Sequence, residues 1–421
     1  MTIQTPTSKS TVSGGPAANK GPVALQMFLL TTLFFLWGFV TSLNDVLIPH
    51  FKALFSLSYT QSSLVQFCFF TAYFVVSLPA GLFMSRYGYK LTLIAGLLIA
   101  AVGALLFFPA AQVLSYPIFL LGLFTLAAGI TFLQVSANTF VSIIGDTKTA
   151  ASRLNLTQAF NSLGTTIAPK LGGVFILVAA GVVLTREEQA AQLKMPYLII
   201  CGILVLLAAL SWILLAAPKA AGESERAAQD VGFLETLRHP QVYWGFINLF
   251  LYVGAEVCIG SFLISYLAQP STVGLSAVDA AGYVSFYWGG AMIGRFVGSA
   301  ILRKFSPLKV LGTFTAIAAI LVVAAMGLQG PIAMWTILAV GLFNSIQFPT
   351  IFSTSIEGLG RLTEKASSFL IMAIFGGAVL PVAFGAITDN ISLRVAFIIP
   401  LICYAIISAH SFYSAARRPG A

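Results

Sequence analysis

Charged side chains are scarce in this sequence. Asp, Glu, Lys and Arg together make up 8% of the 421 residues, whereas hydrophobic residues make up 58%. A soluble domain of ordinary composition carries about a quarter charged residues, so the scarcity excludes that class. The chain instead offers about a dozen apolar runs close to the ~20 residues that a membrane-spanning helix needs. Because these runs are continuous rather than alternating in polarity, they predict transmembrane helices and not barrel strands.

Cysteine and histidine are also rare, with four and three residues respectively. None of them shows the spacing of metal ligands, and no nucleophile stands in a pattern with a base. We therefore predict no metal, no cofactor and no enzymatic activity. The net charge of +9 could suggest a nucleic-acid partner, but no basic patch is interleaved with aromatic residues. We expect no nucleic acid and attribute the Lys and Arg residues to cytoplasmic loops.

The apolar runs predict twelve transmembrane helices separated by short polar breaks. The predicted spans are near residues 25–48, 61–83, 91–111, 116–143, 154–180, 197–217, 241–268, 279–302, 308–328, 332–355, 366–388 and 392–414. An even number of spans places both termini on one side, and most Lys and Arg residues fall on that side. Since positive residues favour the cytoplasm, we predict cytoplasmic N and C termini.

The longest internal polar stretch divides the chain into two six-helix halves. The predicted segments are a disordered cytoplasmic N-terminus (1–24), an N-terminal half (25–217), a cytoplasmic linker (218–240), a C-terminal half (241–414) and a cytoplasmic tail (415–421). We expect a monomer that is surrounded by membrane lipid.

Two acidic residues lie well inside apolar runs, Asp45 in the first span and Glu256 in the seventh. A carboxylate at membrane depth is costly, so it normally faces a partner or a watery cavity and has a function there. Both acids are therefore candidates for substrate binding and for carrying a proton. A purely structural ion pair is the alternative for Asp45, and hydrogen bonding to substrate alone is the alternative for Glu256.

Amide side chains also recur inside the apolar runs. Because an unpaired amide in lipid is unfavourable, these residues face one another or a cavity. Structural bonding between helices is the alternative for any single amide, whereas the whole set favours a polar cavity for a ligand with many hydroxyls, such as a sugar. The candidate binding amides are Asn44, Gln134, Asn138, Gln158, Asn161, Asn344 and Gln347.

Aromatic residues in the apolar runs could stack on the ring of such a sugar. The candidates are Trp37, Tyr73, Tyr252, Phe286, Tyr287 and Trp288.

The two halves look like repeats of each other. Gly81 and Arg86 correspond to Gly298 and Arg303, each pair just after the second span of its half. Gln134 likewise corresponds to Gln347. Two parallel six-span repeats resemble the plan of the major facilitator superfamily. This resemblance implies an all-α polytopic fold, a substrate site between the halves and transport by alternating access.

The loop GLFMSRYGYK resembles the signature that this superfamily carries after its second span. Ser85 stands where an acid is usual, while the glycines and basic residues fit. The resemblance implies a gating role, in which salt bridges and helix-terminus contacts hold the cytoplasmic side closed. The predicted gating residues are Gly81, Arg86, Gly88, Lys90, Arg295 and Arg303.

Three longer stretches resemble one branch of the superfamily, the fucose permease-like fucose–galactose–glucose symporters. They are LFFLWGFVTSLNDVLIPHFK, LNLTQAFNSLGTTIAP and SIQFPTIFSTSIEGLG, and span seven (YVGAEVCIGSFL) is most similar to the branch's glucose/galactose transporters. The resemblance implies import of a hexose with proton symport, with Asp45 at the position of the sugar-binding and coupling acid. Gln134 replaces a second acid of the fucose permease, and Glu256 appears in span seven instead.

The sequence therefore leaves open which ion, if any, is transported together with the sugar. The favoured interpretation, which the resemblance implies, is proton symport of a glucose- or galactose-like hexose, or of fucose, across a bacterial inner membrane through Asp45 and Glu256. A sodium-coupled or uncoupled hexose carrier is the alternative. A membrane sugar sensor is a further alternative, but it would need a soluble output domain, and the linker at 218–240 is too short to be one. Lys170 could snorkel to the outer interface, or it could enter the cavity as a permanent counter-charge to Asp45 or Glu256 and so weaken coupling.

Overall fold

The computed structural model describes residues 23–56, 59–176, 185–215, 233–275 and 277–417, which form helices and turns without a strand. The α-helices are α1 (Val23–Phe55), α2 (Tyr59–Leu105), α3 (Phe107–Val113), α4 (Tyr116–Ile143), α5 (Ala150–Ile176), α6 (Arg186–Ala191), α7 (Lys194–Leu214), α8 (Phe233–Arg238), α9 (Pro240–Leu267), α10 (Ala277–Ile301), α11 (Pro307–Gly327), α12 (Gly330–Asn344), α13 (Gln347–Ile356), α14 (Thr363–Met372), α15 (Gly376–Asn390), α16 (Leu393–Ala396) and α17 (Ile398–Arg417). Short 3-10 helices occupy Thr147–Thr149, Gly360–Leu362 and Ala373–Phe375. The predicted all-α fold is confirmed.

Among the described residues, nine helical segments have the length and hydropathy to cross a membrane. One of these segments, Phe67–Val113, covers most of the second predicted span and all of the third. Gly88 interrupts the helix between these two spans. The count of twelve spans and the domain boundaries stay predictions. The predicted N-terminal segment up to residue 22, residues 218–232 of the linker and residues 418–421 of the tail lie outside the described ranges.

In the first half, glycines allow helices to approach closely. Helices α2 and α4 pack along much of their length, and α1 packs on α5. Gly103 of α2 lies against the backbone of Leu126 in α4, and Gly38 of α1 lies against the backbone carbonyl of Asn161 in α5. A Cβ at either glycine would overlap the neighbouring main chain. Small residues are therefore required on these faces, as is usual between membrane helices.

In the second half, buried aromatic side chains fill the space between helices. Helix α9 packs on α15 and α17, α11 packs on α17, and α10 packs on α12. Tyr266, Tyr287, Phe384, Phe397 and Tyr404 are fully buried in one core cluster. This core gives the second half a packed interior of its own.

Several helix pairs join the halves, and the most extensive contacts are those of α5 with α10 and of α2 with α14. Gly81 of α2 lies directly against the side chain of Ser368 in α14. The Ser152 hydroxyl of α5 donates a hydrogen bond of 2.7 Å to the Ser299 carbonyl of α10. These contacts lie at the end of the bundle where α4 ends and α5 begins, which is the predicted cytoplasmic end. The halves are thus closed against each other there.

The repeat relation predicted from sequence has a counterpart in backbone geometry. Gly145, which follows α4, has a φ of +81°, and Gly358, which follows α13, has a φ of +72°. Both values lie in the region that favours glycine. The two repeat-related glycines therefore end the corresponding helices in the same way.

Gly88 separates the second predicted span from the third. Its φ of 79° and ψ of 173° fall in a region that is essentially restricted to glycine. No described atom lies within 4 Å of the position that a Cβ would occupy. A side chain at this position would consequently strain the backbone without a steric clash.

Gly88→Ala is expected to lower the free energy of unfolding by about 1–3 kcal/mol because of this backbone strain. The measurement is the midpoint of thermal unfolding in detergent. The matched control is Gly202→Ala, because Gly202 lies inside α7 and also has open space around its Cβ position. Alanine favours a helix, so the control is expected to unfold at the same or a higher temperature. An unchanged midpoint for Gly88→Ala would contradict the assignment of strain.

Candidate functional site

A central cavity of about 220 Å³ lies between the two halves of the protein. The first half contributes mainly polar and aromatic side chains to it, and the second half contributes the described charged groups. The polar and aromatic lining residues are Trp37, Thr41, Tyr73, Gln134, Gln158, Asn161, Tyr252, Glu256 and Arg295. A larger cavity of about 350 Å³ lies within the second half between α9, α11, α13 and α17, and none of the predicted site residues lines it.

Glu256 lies in the middle of α9 and lines the central cavity. Tyr252 precedes it by one helical turn, which places both side chains on one face. The Tyr252 hydroxyl donates a hydrogen bond of 2.7 Å to Glu256 Oε1, and Tyr252 itself is buried. The tyrosine thus orients the carboxyl group and satisfies one of its oxygens.

Arg295 lines the same cavity as Glu256. Its Nε donates to the Ser345 carbonyl at 3.1 Å, and its Nη1 donates to the Ser162 hydroxyl. The sequence placed Arg295 among the gating residues. In the structure it also belongs to the cavity wall, where a guanidinium and a carboxylate share one polar space.

Gln134 and Gln158 both reach the cavity from the first half. Gln134 Nε2 donates to the Tyr73 hydroxyl at 2.7 Å. Gln158 Nε2 donates to Asn138 Oδ1 at 3.2 Å, and Asn138 is itself fully buried behind the wall. Each glutamine therefore keeps its carbonyl oxygen available for a ligand donor, while its amide nitrogen fixes the side chain.

Asn161 combines a structural contact with a place in the cavity wall. Its Nδ2 donates to the Phe34 carbonyl at 2.9 Å and so ties α5 to α1. It lies three residues after Gln158, and both side chains line the cavity, as the sequence spacing predicted for one helical face.

Asn344 and Gln347 lie away from the central cavity in this conformation. Gln347 Nε2 donates to Asn344 Oδ1 at 3.0 Å, and Asn344 Nδ2 donates to the Tyr287 hydroxyl at 2.7 Å. Both amides are fully buried. The structure therefore shows them bonded within the second half, which is the structural alternative that the sequence left open.

Three predicted site residues cannot be located by their side chains. Asn44 and Asp45 belong to α1 and Lys170 belongs to α5, but their side chains lie outside the described part of the chain. Their roles in binding, coupling and counter-charge stay predictions.

Of the aromatic candidates, Trp37, Tyr73 and Tyr252 line the cavity. Phe286 and Trp288 are not among its lining residues, and both are exposed in the structure. The remaining wall is apolar, and the sequence analysis did not single out its members, because Phe and Val are common throughout the chain. These residues are Phe69, Phe70, Val253, Phe348 and Ile374.

The predicted gating residues divide by position. Gly81 lies on the contact between the halves, and Arg303 Nε reaches the Ser152 hydroxyl of the other half at 3.4 Å. Lys90 Nζ instead donates to the Trp212 carbonyl in its own half at 2.6 Å. Arg86 is exposed.

The sequence analysis missed two side-chain hydrogen bonds between the halves. The Tyr89 hydroxyl donates to Glu364 Oε1 at 3.1 Å, and the Thr139 hydroxyl donates to the Ser367 hydroxyl at 2.6 Å. Tyr89 stands four residues after Ser85, the position where the superfamily signature usually has an acid. A tyrosine–glutamate hydrogen bond between the halves is therefore present close to the place where that acid is missing.

Comparison with known proteins agrees with this architecture. A sequence profile of the Major Facilitator Superfamily matches residues 30–373. A glucose/galactose transporter of Brucella abortus is 50% identical over 379 residues, which are 90% of this chain and 91% of that protein. The L-fucose-proton symporter of Escherichia coli K12 is 36% identical over 400 residues, which are 90% of each chain.

Among solved structures, the crystal structure of FucP, a transporter of this superfamily in the outward conformation, has a TM-score of 0.84 and 33% identity to this chain. The similarity covers 93% of this chain and 99% of that one. These relatives are transporters, so the prediction that the protein is not an enzyme is confirmed. The resemblance stated from the sequence is confirmed as well. The protein belongs to the Major Facilitator Superfamily, in its fucose permease-like branch.

Proposed function

We propose that the protein imports a hexose of the glucose or galactose type across a bacterial inner membrane, together with a proton. The observation that carries this proposal is the central cavity, where Glu256 faces the amides Gln134, Gln158 and Asn161 across the contact between the halves. A hexose presents hydroxyls that both donate and accept hydrogen bonds, and these side chains are suitable partners for them. The relatives named for glucose, galactose and fucose transport support the same substrate class.

The shape of the cavity supports a small ligand. Its volume of about 220 Å³ is below the ~300–1,000 Å³ of sites for drug-sized molecules. Trp37 and Tyr73 in the wall offer aromatic faces to the apolar face of a sugar ring. Hydroxyl stereochemistry would be recognised by the amides and Glu256, and apolar packing by the aromatic residues.

Proton coupling is supported by the position of Glu256. Its carboxyl group lies inside a membrane helix and at the cavity that the two halves share, so a proton that it binds at one side can leave at the other. Asp45, in the first span, is the second candidate for this role. The closed contact at the predicted cytoplasmic end supports an alternating-access cycle in which the cavity opens to each side in turn.

An uncoupled hexose carrier is the second candidate, and one observation favours it. Arg295 lines the cavity beside Glu256, and an arginine stays protonated under ordinary conditions. A permanent cation could neutralise the carboxylate throughout the cycle and remove the need for a proton. Net accumulation of sugar distinguishes the two candidates, because only a coupled carrier works against a concentration gradient.

The test is uptake of labelled glucose by the purified protein in liposomes, with sodium absent and the interior more alkaline than the exterior. A gradient of about two pH units supports up to about a hundredfold accumulation for one proton per sugar, since each unit corresponds to about 1.36 kcal/mol. We expect accumulation that collapses when a protonophore is added. Empty liposomes and liposomes without a gradient are the controls.

Each other outcome has a defined meaning. Equilibration of glucose without accumulation contradicts proton symport and supports the uncoupled carrier. Accumulation that appears only with a sodium gradient supports sodium coupling. The absence of flux with glucose, galactose and fucose contradicts the proposed substrate class.

A further inference from the structure

Arg295 is hydrogen-bonded to the other half of the protein as well as to Ser345 of its own half. It lies in α10 of the second half, yet its Nη1 donates to the Ser162 hydroxyl and, at 3.5 Å, to the Gln158 carbonyl. The Asn155 amide donates to the Arg295 backbone carbonyl at 2.6 Å. These last three partners belong to α5 in the first half.

The three partners on α5 form one face of that helix. Asn155, Gln158 and Ser162 are spaced by three and four residues, which is the spacing of side chains on a single helical face. Asn155 and Ser162 are both buried. The side chain and the backbone of Arg295 are thus clasped by one surface of the other half, which we call the α5 clasp.

The same guanidinium also belongs to the ligand site. Arg295 and Glu256 line one cavity, and the guanidinium is a permanent cation that can interact with the carboxyl group there. Glu256 has one oxygen engaged by Tyr252. Arginine presents five donors in a planar fork, so this residue can serve the α5 clasp and the cavity together.

Opening the predicted cytoplasmic end requires α5 and α10 to separate. The bonds from Arg295 to Ser162 and Gln158 must then break, and the freed donors need new acceptors because an unpaired guanidinium at membrane depth is costly. Glu256 and the hydroxyls of a bound sugar are acceptors in the same cavity. A ligand shifts a conformational equilibrium only if it interacts differently with the two states, and this exchange of partners supplies such a difference.

We propose that Arg295 is a positioning residue that couples the sugar site to the closure of the halves, by exchanging the α5 clasp for Glu256 and the bound sugar when the cytoplasmic end opens. This proposal rests on the proposed function for the identity of the ligand. The clasp itself does not depend on that identity, so it can be tested separately.

The first experiment measures the opening directly. Spin labels are placed on cysteines that replace Lys148 and Lys309, which are exposed residues of the two halves at the same end, after the four native cysteines have been replaced. Ser162→Ala removes one acceptor of the clasp and leaves every charge in place. We expect it to raise the ratio of open to closed distances about fivefold or more in the absence of sugar, which is the lower range of ordinary coupling between sites.

Arg295→Gln removes both the clasp donors and the cavity cation. We expect the same opening in the distance measurement and, in addition, about a tenfold loss of gradient-driven accumulation, a change within the ordinary range of coupling. Arg295→Lys keeps the charge but not the fork, so it should open the protein and retain more accumulation than Arg295→Gln. The matched control is Lys304→Gln, which removes an exposed cation near the same end of α10.

A double variant tests whether Arg295 acts on Glu256. If it does, adding Glu256→Gln to Arg295→Gln should leave the ratio of open to closed distances unchanged, whereas Glu256→Gln alone should change that ratio, because residues that act together are not additive. Distances and transport in Arg295→Gln equal to those of Lys304→Gln would overturn the inference. Wild-type protein without hexose flux would instead contradict the proposed function, and the distance measurement would still decide whether the clasp exists.

Discussion

Glu256→Gln abolishes proton-driven accumulation of sugar and leaves exchange of sugar across the membrane. This is the expected result because glutamine matches glutamate in size and can still accept the hydrogen bond from the Tyr252 hydroxyl, which is 2.7 Å from Oε1 in the wild type. Glutamine cannot take up or release a proton. Under a gradient of about two pH units, the accumulation ratio should fall from as much as a hundredfold to about one, since the energy of about 1.36 kcal/mol per unit is no longer coupled.

Two further variants are compared with Glu256→Gln. Glu187→Gln, at an exposed residue of α6, makes the same chemical change away from the cavity and should accumulate sugar like the wild type. Asp45→Asn makes it at the other candidate acid. Full accumulation in Glu256→Gln together with its loss in Asp45→Asn would assign coupling to the first span, and Glu256 would then be a ligand for sugar hydroxyls alone.

The sequence was sufficient for the architecture because membrane burial leaves few choices. A continuous apolar run must satisfy its own backbone hydrogen bonds as a helix, so the runs predicted the helices that the structure shows. Glycines were harder to interpret. Gly88 interrupts a helix through its backbone angles, whereas Gly38 is required by the close approach of α5. Both positions are glycine in the sequence, and only the fold shows the different reason for each.

The sequence was sufficient to identify residues that line the site, but not to decide which polar side chains face the cavity. Intramembrane polar side chains must have partners, and this rule singled out Glu256, Gln134 and Gln158, which do line the cavity. It could not decide whether an amide faces the cavity or another helix, because that depends on the rotation of each helix in the bundle. Asn344 and Gln347 bond to each other for this reason.

Arg295 illustrates a second limit of sequence reasoning. Its position towards the cytoplasmic end of its span suggested a gating role, and the structure places it at the contact between α5 and α10 and at the cavity together. The contact between Ser152 and Ser299 could not be predicted from the sequence, because serine is compatible with membrane helices whether or not it contacts the other half of the protein. Only the packing of α5 on α10 gives these hydroxyls a role.

Gly81→Leu is expected to abolish sugar uptake by preventing closure of the cytoplasmic end. Gly81 in α2 lies directly against the Ser368 side chain of α14, and a leucine there has no space while the halves are together. Inserting such volume into a packed contact costs about 1–3 kcal/mol, which corresponds to a shift of about 5- to 150-fold in an equilibrium between two states. The variant should therefore populate the state that is open to the cytoplasm and fail to present its cavity to the outside.

Binding measurements separate this effect from a loss of folding. Gly81→Leu should still unfold cooperatively in detergent and bind sugar, since the residue lies outside the cavity, while uptake in right-side-out vesicles is lost. Gly202→Leu is the matched control, because Gly202 of α7 has open space around its Cβ position, and it should transport normally. Because the clash at position 81 involves only the closed state, shortening its partner should relieve it: Ser368→Gly combined with Gly81→Ala should transport better than Gly81→Ala alone. Equal uptake by these last two variants would show that the contact between α2 and α14 does not limit the cycle.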